Sequence, residues 1–97
     1  MPKGYWIAHA EVDDMAAWQR YVAGARSAFE DHGARFLARG GAGEELEGAL
    51  GRSRHVVVEF PSLGAAKACW HSDTYQAARQ HRDGAGTLTI SIVEGID

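Results

Sequence analysis

Residues 4–33 read GYWIAHAEVDDMAAWQRYVAGARSAFEDHG, and a change of period inside this stretch decides the fold. From Gly4 to Val12 the side chains alternate. Trp6, Ala8, Ala10 and Val12 point one way and Tyr5, Ile7, His9 and Glu11 the other, as in a strand. Beyond Asp13 and Asp14, either of which can cap a helix, the spacing becomes three and four. Met15, Trp18, Val22, Ala25, Phe29 and His32 form one stripe, widened by Tyr21, while Gln19, Arg20, Arg26, Ser27 and Glu30 fall mostly opposite. Gly33 ends the helix, because it enters the left-handed conformation without a Cβ penalty. Trp18 and Phe29 should press this helix onto a sheet.

The same alternation of periods continues along the chain. A second strand is expected over Arg35 to Arg39, breaking at Gly40-Gly41-Ala42-Gly43 and resuming through Glu44 to Glu47 before a turn around Gly48 to Arg52. Arg54 to Phe60, with Val56-Val57-Val58 inside it and Pro61 behind it, is a third strand. Ser62 caps a short helix carrying Leu63, Ala66, Cys69 and Trp70, and Ser72-Asp73 restarts a helix that runs to about Asp83. Thr87 to Glu94 closes the series, with Leu88, Ile90 and Ile92 on one face. The order β-α-β-β-α-β is the ferredoxin-like pattern of the α+β class: an antiparallel four-stranded sheet, ordered four-one-three-two, with the helices on one face. Both faces of the strands carry apolar residues, so the face without helices needs a cover. A second copy in a two-fold homodimer is the simplest.

Composition bounds the function. Ninety-seven residues make one domain, spanning residues 1–97. A net charge of -3 argues against phosphate neutralisation and hence against nucleic acid. No apolar run is long enough for a membrane helix, and the start lacks the apolar core of a signal peptide, so the expected address is the cytoplasm. Cys69 is the single cysteine, which excludes an internal disulfide and a cysteine-based zinc site. Five histidines show no His-x-x-x-His spacing, and neither a metal nor any other cofactor is expected. The glycines at 40, 41 and 43 fit neither a dinucleotide loop, since Leu46 stands where a third glycine belongs, nor a P-loop.

Three groups of residues can carry chemistry. Alternation places His9, Arg39, Glu59, Thr89 and Ser91 on one side of the sheet. Arg39 would hold a planar carboxylate through its fork of donors, and His9 or Glu59 would move a proton. The competing reading is an Arg39–Glu59 ion pair that satisfies two inward charges. Arg54, across a hairpin from Glu47-Gly48, makes either an end-of-hairpin salt bridge or the mouth of a pocket. Tyr75, Arg79 and Arg82 share a helix face and could meet one anion; otherwise Tyr75 packs in the core and the arginines complement the helix C-terminus.

Gly4-Tyr5-Trp6-Ile7, Arg39-Gly40-Gly41, Glu47-Gly48, Glu59-Phe60-Pro61-Ser62, Ser72-x-x-Tyr75-Gln76-x-Ala78 and Glu94-Gly95, in this order, resemble the domain-of-unknown-function family 1330 of the dimeric α/β-barrel superfamily. The resemblance covers almost the whole chain. It implies a ferredoxin-like protomer and a homodimer with sheets packed face to face, and assigns no reaction. Residues 70–81 are also loosely similar to haem-degrading monooxygenases of the superfamily, but Arg79 stands where those carry the haem-ligating histidine and His81 lies off that face, so haem is not expected. Two readings stay open. One is a protein that binds a small anionic or aromatic molecule between sheet and helices, with cofactor-free isomerase-like or monooxygenase-like chemistry. The other is a non-catalytic dimeric interaction module without a ligand.

Overall fold

A computed structural model describes residues 2–96. The elements are β1 (Gly4–Val12), α1 (Met15–Asp31), β2 (Arg35–Arg39), β3 (Arg54–Phe60), α2 (Leu63–His71), α3 (Asp73–Arg79) with a 3-10 turn at Gln80–Arg82, and β4 (Gly86–Glu94). The strands form one antiparallel sheet in the order β2-β3-β1-β4. This is the ferredoxin-like fold that the alternation of periods predicts. No helix among the described residues is long and apolar enough to cross a membrane.

Local chemistry sets the boundaries. Asp14 caps α1 by accepting from the Ala17 amide (3.1 Å), and Gly33 ends it at φ 73°. Ser62 caps α2 by accepting from the Ala65 amide (3.0 Å). Ser72 does two jobs: its hydroxyl donates to the Cys69 carbonyl closing α2 (2.7 Å) and accepts from the Tyr75 amide opening α3 (3.2 Å). The strand expected to resume over Glu44 to Glu47 does not form. The Glu45 carboxylate instead accepts from the amides of Leu50, Gly51 and Arg52, so the connection between β2 and β3 folds on itself.

The helices cover the face of Trp6, Val58 and Phe60, and these pack with Tyr21, Ala25, Ala28, Ala66, Cys69, Tyr75 and Ala78 into the core. Trp6 is its centre. Its ring lies 5.0–5.9 Å from those of Phe29, Phe60, Trp70 and Tyr75, and its Nε1–H donates to the Ala66 carbonyl (2.9 Å). The buried side of α1 is Ala17, Tyr21, Ala25 and Ala28, rotated from the expected stripe; Trp18, Val22 and Phe29 are half-buried and Met15 is 47% exposed. The rotation arises because α1 packs against α3 as well as the sheet. Small alanines allow that close approach, and the larger residues are left over the strands.

Cys69 donates weakly to the Ala28 carbonyl (3.6 Å), and burial pushes its thiol up from 9.0 to about 12. A raised folded-state pKa means the native protein keeps a proton that the unfolded chain releases. Its contribution to stability is therefore whole below pH 9.0 and is lost as pH rises towards 12. Thermal melts are expected to fall across that window by up to roughly 1.4 kcal/mol per pH unit for this group. The fall should be shallower in Cys69→Ala; identical slopes in the two proteins would show that the thiol does not titrate with unfolding.

Candidate functional site

Directly paired residues of an antiparallel sheet share a face. Tyr5, Ile7 and His9 of β1 pair with Glu59, Val57 and His55 of β3, and with Val93, Ser91 and Thr89 of β4, on the face without helices. His9, Glu59, Thr89 and Ser91 thus do share a side. Arg39 does not. β2 carries a bulge between Phe36 and Ala38: Phe36 pairs with Val58 and Arg39 with Val56, both on the helix side, while Ala38 pairs with Val57 on the open side. Leu37 is the extra residue, and it inverts the alternation that would have placed Arg39 on the face of Glu59, opposite His55. Glu59 pairs instead with Lys3 (3.2 Å), the one ion pair found among the described residues. Neither the convergence of His9, Arg39 and Glu59 nor an Arg39–Glu59 pair occurs, and Arg54 makes no salt bridge with Glu47.

The bulge brings Arg39 to a different place, the mouth of an apolar cleft between the sheet and α1. Ala8, Ala10, Val56, Leu88 and Ile90 form its sheet wall, Trp18, Tyr21, Val22 and Phe29 its helix wall, and Phe36, Arg39 and Arg54 also line it. The cleft exists because Ala8 and Ala10 are too small to fill the space beneath Trp18 and Val22. The cleft measures about 70 Å³. The Arg39 guanidinium lies 4.0 Å from the centre of the Phe36 ring. The Arg54 guanidinium lies close over Gly40, which sits at φ 74° and whose missing Cβ would come within 2.6 Å of Nη1. Neither arginine has an anionic partner among the described residues.

The third expected group divides. Tyr75 is fully buried, and its hydroxyl lies 2.8 Å from that of Tyr21. Arg82 Nη2 donates to the Tyr75 oxygen (3.4 Å), and the Arg82 guanidinium lies 5.0 Å over the Tyr21 ring. Arg79 donates to Gln76 (3.0 Å) and packs on Trp70. Tyr21 is therefore a polar residue of the helix wall, although its spacing marks it only as part of a helix stripe. A hydroxyl on an otherwise apolar inward face was the available signal. Among the described residues, the cleft lining contains no histidine and no carboxylate.

On the open face, the Nδ1 atoms of His9 and His55 lie 2.8 Å apart, one ring donating and the other accepting. They border a wider hollow of about 420 Å³ formed with the β2–β3 connection, which contributes Glu44, Glu45, Glu47 and Arg52. This hollow is shallow and polar, and among the described residues no three metal-binding side chains gather. The cleft is the better candidate site, because apolar walls with a few placed polar groups suit small-molecule binding.

Among solved structures, the chain is similar to a protein of unknown function from Rhodopseudomonas palustris (15% identity, TM-score 0.78, covering 99% of this chain and 84% of that one). It is also similar to a dimeric ferredoxin-like protein of unknown function from Jannaschia sp. CCS1 (14%, TM-score 0.61, 94% and 97%). A third likeness is to SnoaB, a cofactor-independent oxygenase from Streptomyces nogalater (9%, TM-score 0.64, 96% and 92%). At these identities the likeness is one of fold. No protein of curated function matches. The family described as a domain of unknown function (DUF1330) matches residues 3–96, nearly the whole length, and the chain belongs to that family.

Proposed function

We propose that this protein is a cytoplasmic homodimer that binds a small anionic, aromatic molecule in the cleft between sheet and α1, with Arg39 and Arg54 taking the anion. The observation that carries this reading is a pair of guanidinium groups without anionic partners at the mouth of an aromatic-lined cleft. Arginine's planar fork matches a carboxylate, and the aromatic walls match a flat apolar body. A benzene-sized guest fills a cavity of roughly 150 Å³, so such a ligand would extend beyond the cleft into solvent or widen it by moving the Arg39 and Arg54 side chains. The uncovered face supports the dimer: Tyr5, Ile7 and Val57 are only half-buried there and Val93 is exposed.

Binding is favoured over acid–base catalysis because the described residues place no carboxylate or imidazole in the cleft, and His9 and Glu59 lie across the sheet from it. If a reaction takes place, cofactor-free oxygenation of the kind named for SnoaB suits these walls better than a proton-shuttling isomerisation.

The test is Arg39→Ala, titrated with benzoate and melted in parallel. Affinity is expected to fall about 10- to 100-fold, the loss of a charge-assisted hydrogen bond. Stability should change by less than about 1 kcal/mol, since Arg39 is exposed and its main partner is the Phe36 ring. Unchanged affinity would remove Arg39 from the site. No binding of benzoate by the unaltered protein would favour the interaction module.

A further inference from the structure

We propose that Tyr21 is the cleft's own hydrogen-bond donor, so that the ligand carries, besides its anionic group at Arg39 and Arg54, a separate acceptor oxygen that meets the Tyr21 hydroxyl. The inference rests on the cleft reading above and adds a requirement to it.

The direction of one hydrogen-bond chain supports it. The hydroxyls of Tyr21 and Tyr75 lie 2.8 Å apart, and either could donate to the other. The enclosure of Tyr75 and its contact with Arg82 together break the tie. A guanidinium has donors only, so its contact with the Tyr75 oxygen makes that oxygen an acceptor. The Tyr75 proton then has one place to go. The residue is fully enclosed, and its described oxygen partners are Arg82 and Tyr21, of which only Tyr21 can accept. The chain runs from Arg82 through Tyr75 to Tyr21, and the proton left over belongs to Tyr21, the one member of the three that lines the cleft.

The opposite direction would place the spare proton on Tyr75, in a packed core with no acceptor, and a buried donor without a partner is costly. Burial, with Tyr75 beside it, also raises the Tyr21 hydroxyl well above the usual tyrosine range, so it keeps its proton at any ordinary pH. The nearby Arg82 charge favours electron density gathering on the chain of oxygens. A hydroxyl arranged in this way prefers a carbonyl or phenolic oxygen to a hydrocarbon group of the same shape.

Matched pairs test this. The full-length protein is titrated with each isomer of acetylbenzoate and with the isopropylbenzoate of the same substitution, which has nearly the same shape but lacks the acceptor. The fluorescence of Trp6 and Trp18, both in the cleft wall, reports binding. For at least one isomer the acetyl compound is expected to bind about tenfold more tightly. Tyr21→Phe should abolish that preference while leaving the isopropyl affinity in place, and Tyr75→Phe, which interrupts the chain but leaves the Tyr21 hydroxyl, should reduce it. A preference that survives Tyr21→Phe overturns the inference, as does equal binding within every pair by the unaltered protein. Should Tyr21→Phe fail to fold, the unaltered protein and Tyr75→Phe still decide it. If neither member of any pair binds, the cleft reading falls as well, a result distinct from equal binding.

Discussion

Truncating Trp6 to alanine is expected to destabilise the protein by about 3–5 kcal/mol, the range for removing a buried aromatic. Four aromatic rings rest on the indole, and the Ala66 carbonyl would lose the donor that ties β1 to α2. The hole would open beside the cleft, where Ala8 and Ala10 already leave the packing thin. Small domains have only about 5–15 kcal/mol in total, so the variant should be partly unfolded near body temperature. Trp70→Ala provides the contrast. That ring also touches Trp6 but is half-buried, and its loss should cost clearly less. Equal midpoints for the two variants in denaturant titrations would show that Trp6 is not the centre of the core.

Ile7→Glu is expected to convert the proposed dimer into a monomer. Ile7 lies between Val57 and Ser91 in the middle of the open face, so a two-fold partner would bury two new carboxylates close to one another. Each would lose water without gaining a cation, a penalty of several kcal/mol per ion. By light scattering, the mass should drop from twice 10.5 kDa to 10.5 kDa at micromolar concentration, with the melting curve still cooperative. A variant that remains dimeric would place the interface elsewhere, and an unaltered protein that is already monomeric would remove the dimer.

Element order, strand pairing and helix ends were legible in the sequence because local chemistry specifies them: Asp14, Ser62 and Ser72 cap as their side chains dictate, and Gly33 stops α1. Two features that shape the cleft were not legible. The bulge at Leu37 has no glycine or proline to mark it within Phe36-Leu37-Ala38, and it becomes visible only through pairing with Val57 and Val58, about twenty residues on. The cleft is a difference in volume between Ala8 and Ala10 on one element and Trp18 and Val22 on another, and periodicity records which side a residue faces without recording how well that side is filled. The bulge puts Arg39 on the side opposite to the one its alternation predicts, whereas Tyr21 packs in the core as its place in the helix stripe predicts.

The bulge makes β2 tolerant of a change in length. In an uninterrupted strand, the loss of one residue turns every later side chain to the opposite face. In β2 Leu37 is the residue without a partner, so its loss would leave Phe36 opposite Val58, Ala38 opposite Val57 and Arg39 opposite Val56. A single lost codon at that position would straighten the strand while the guanidinium keeps its side. The edge of the sheet can therefore shed a residue without redistributing its charge between the two faces.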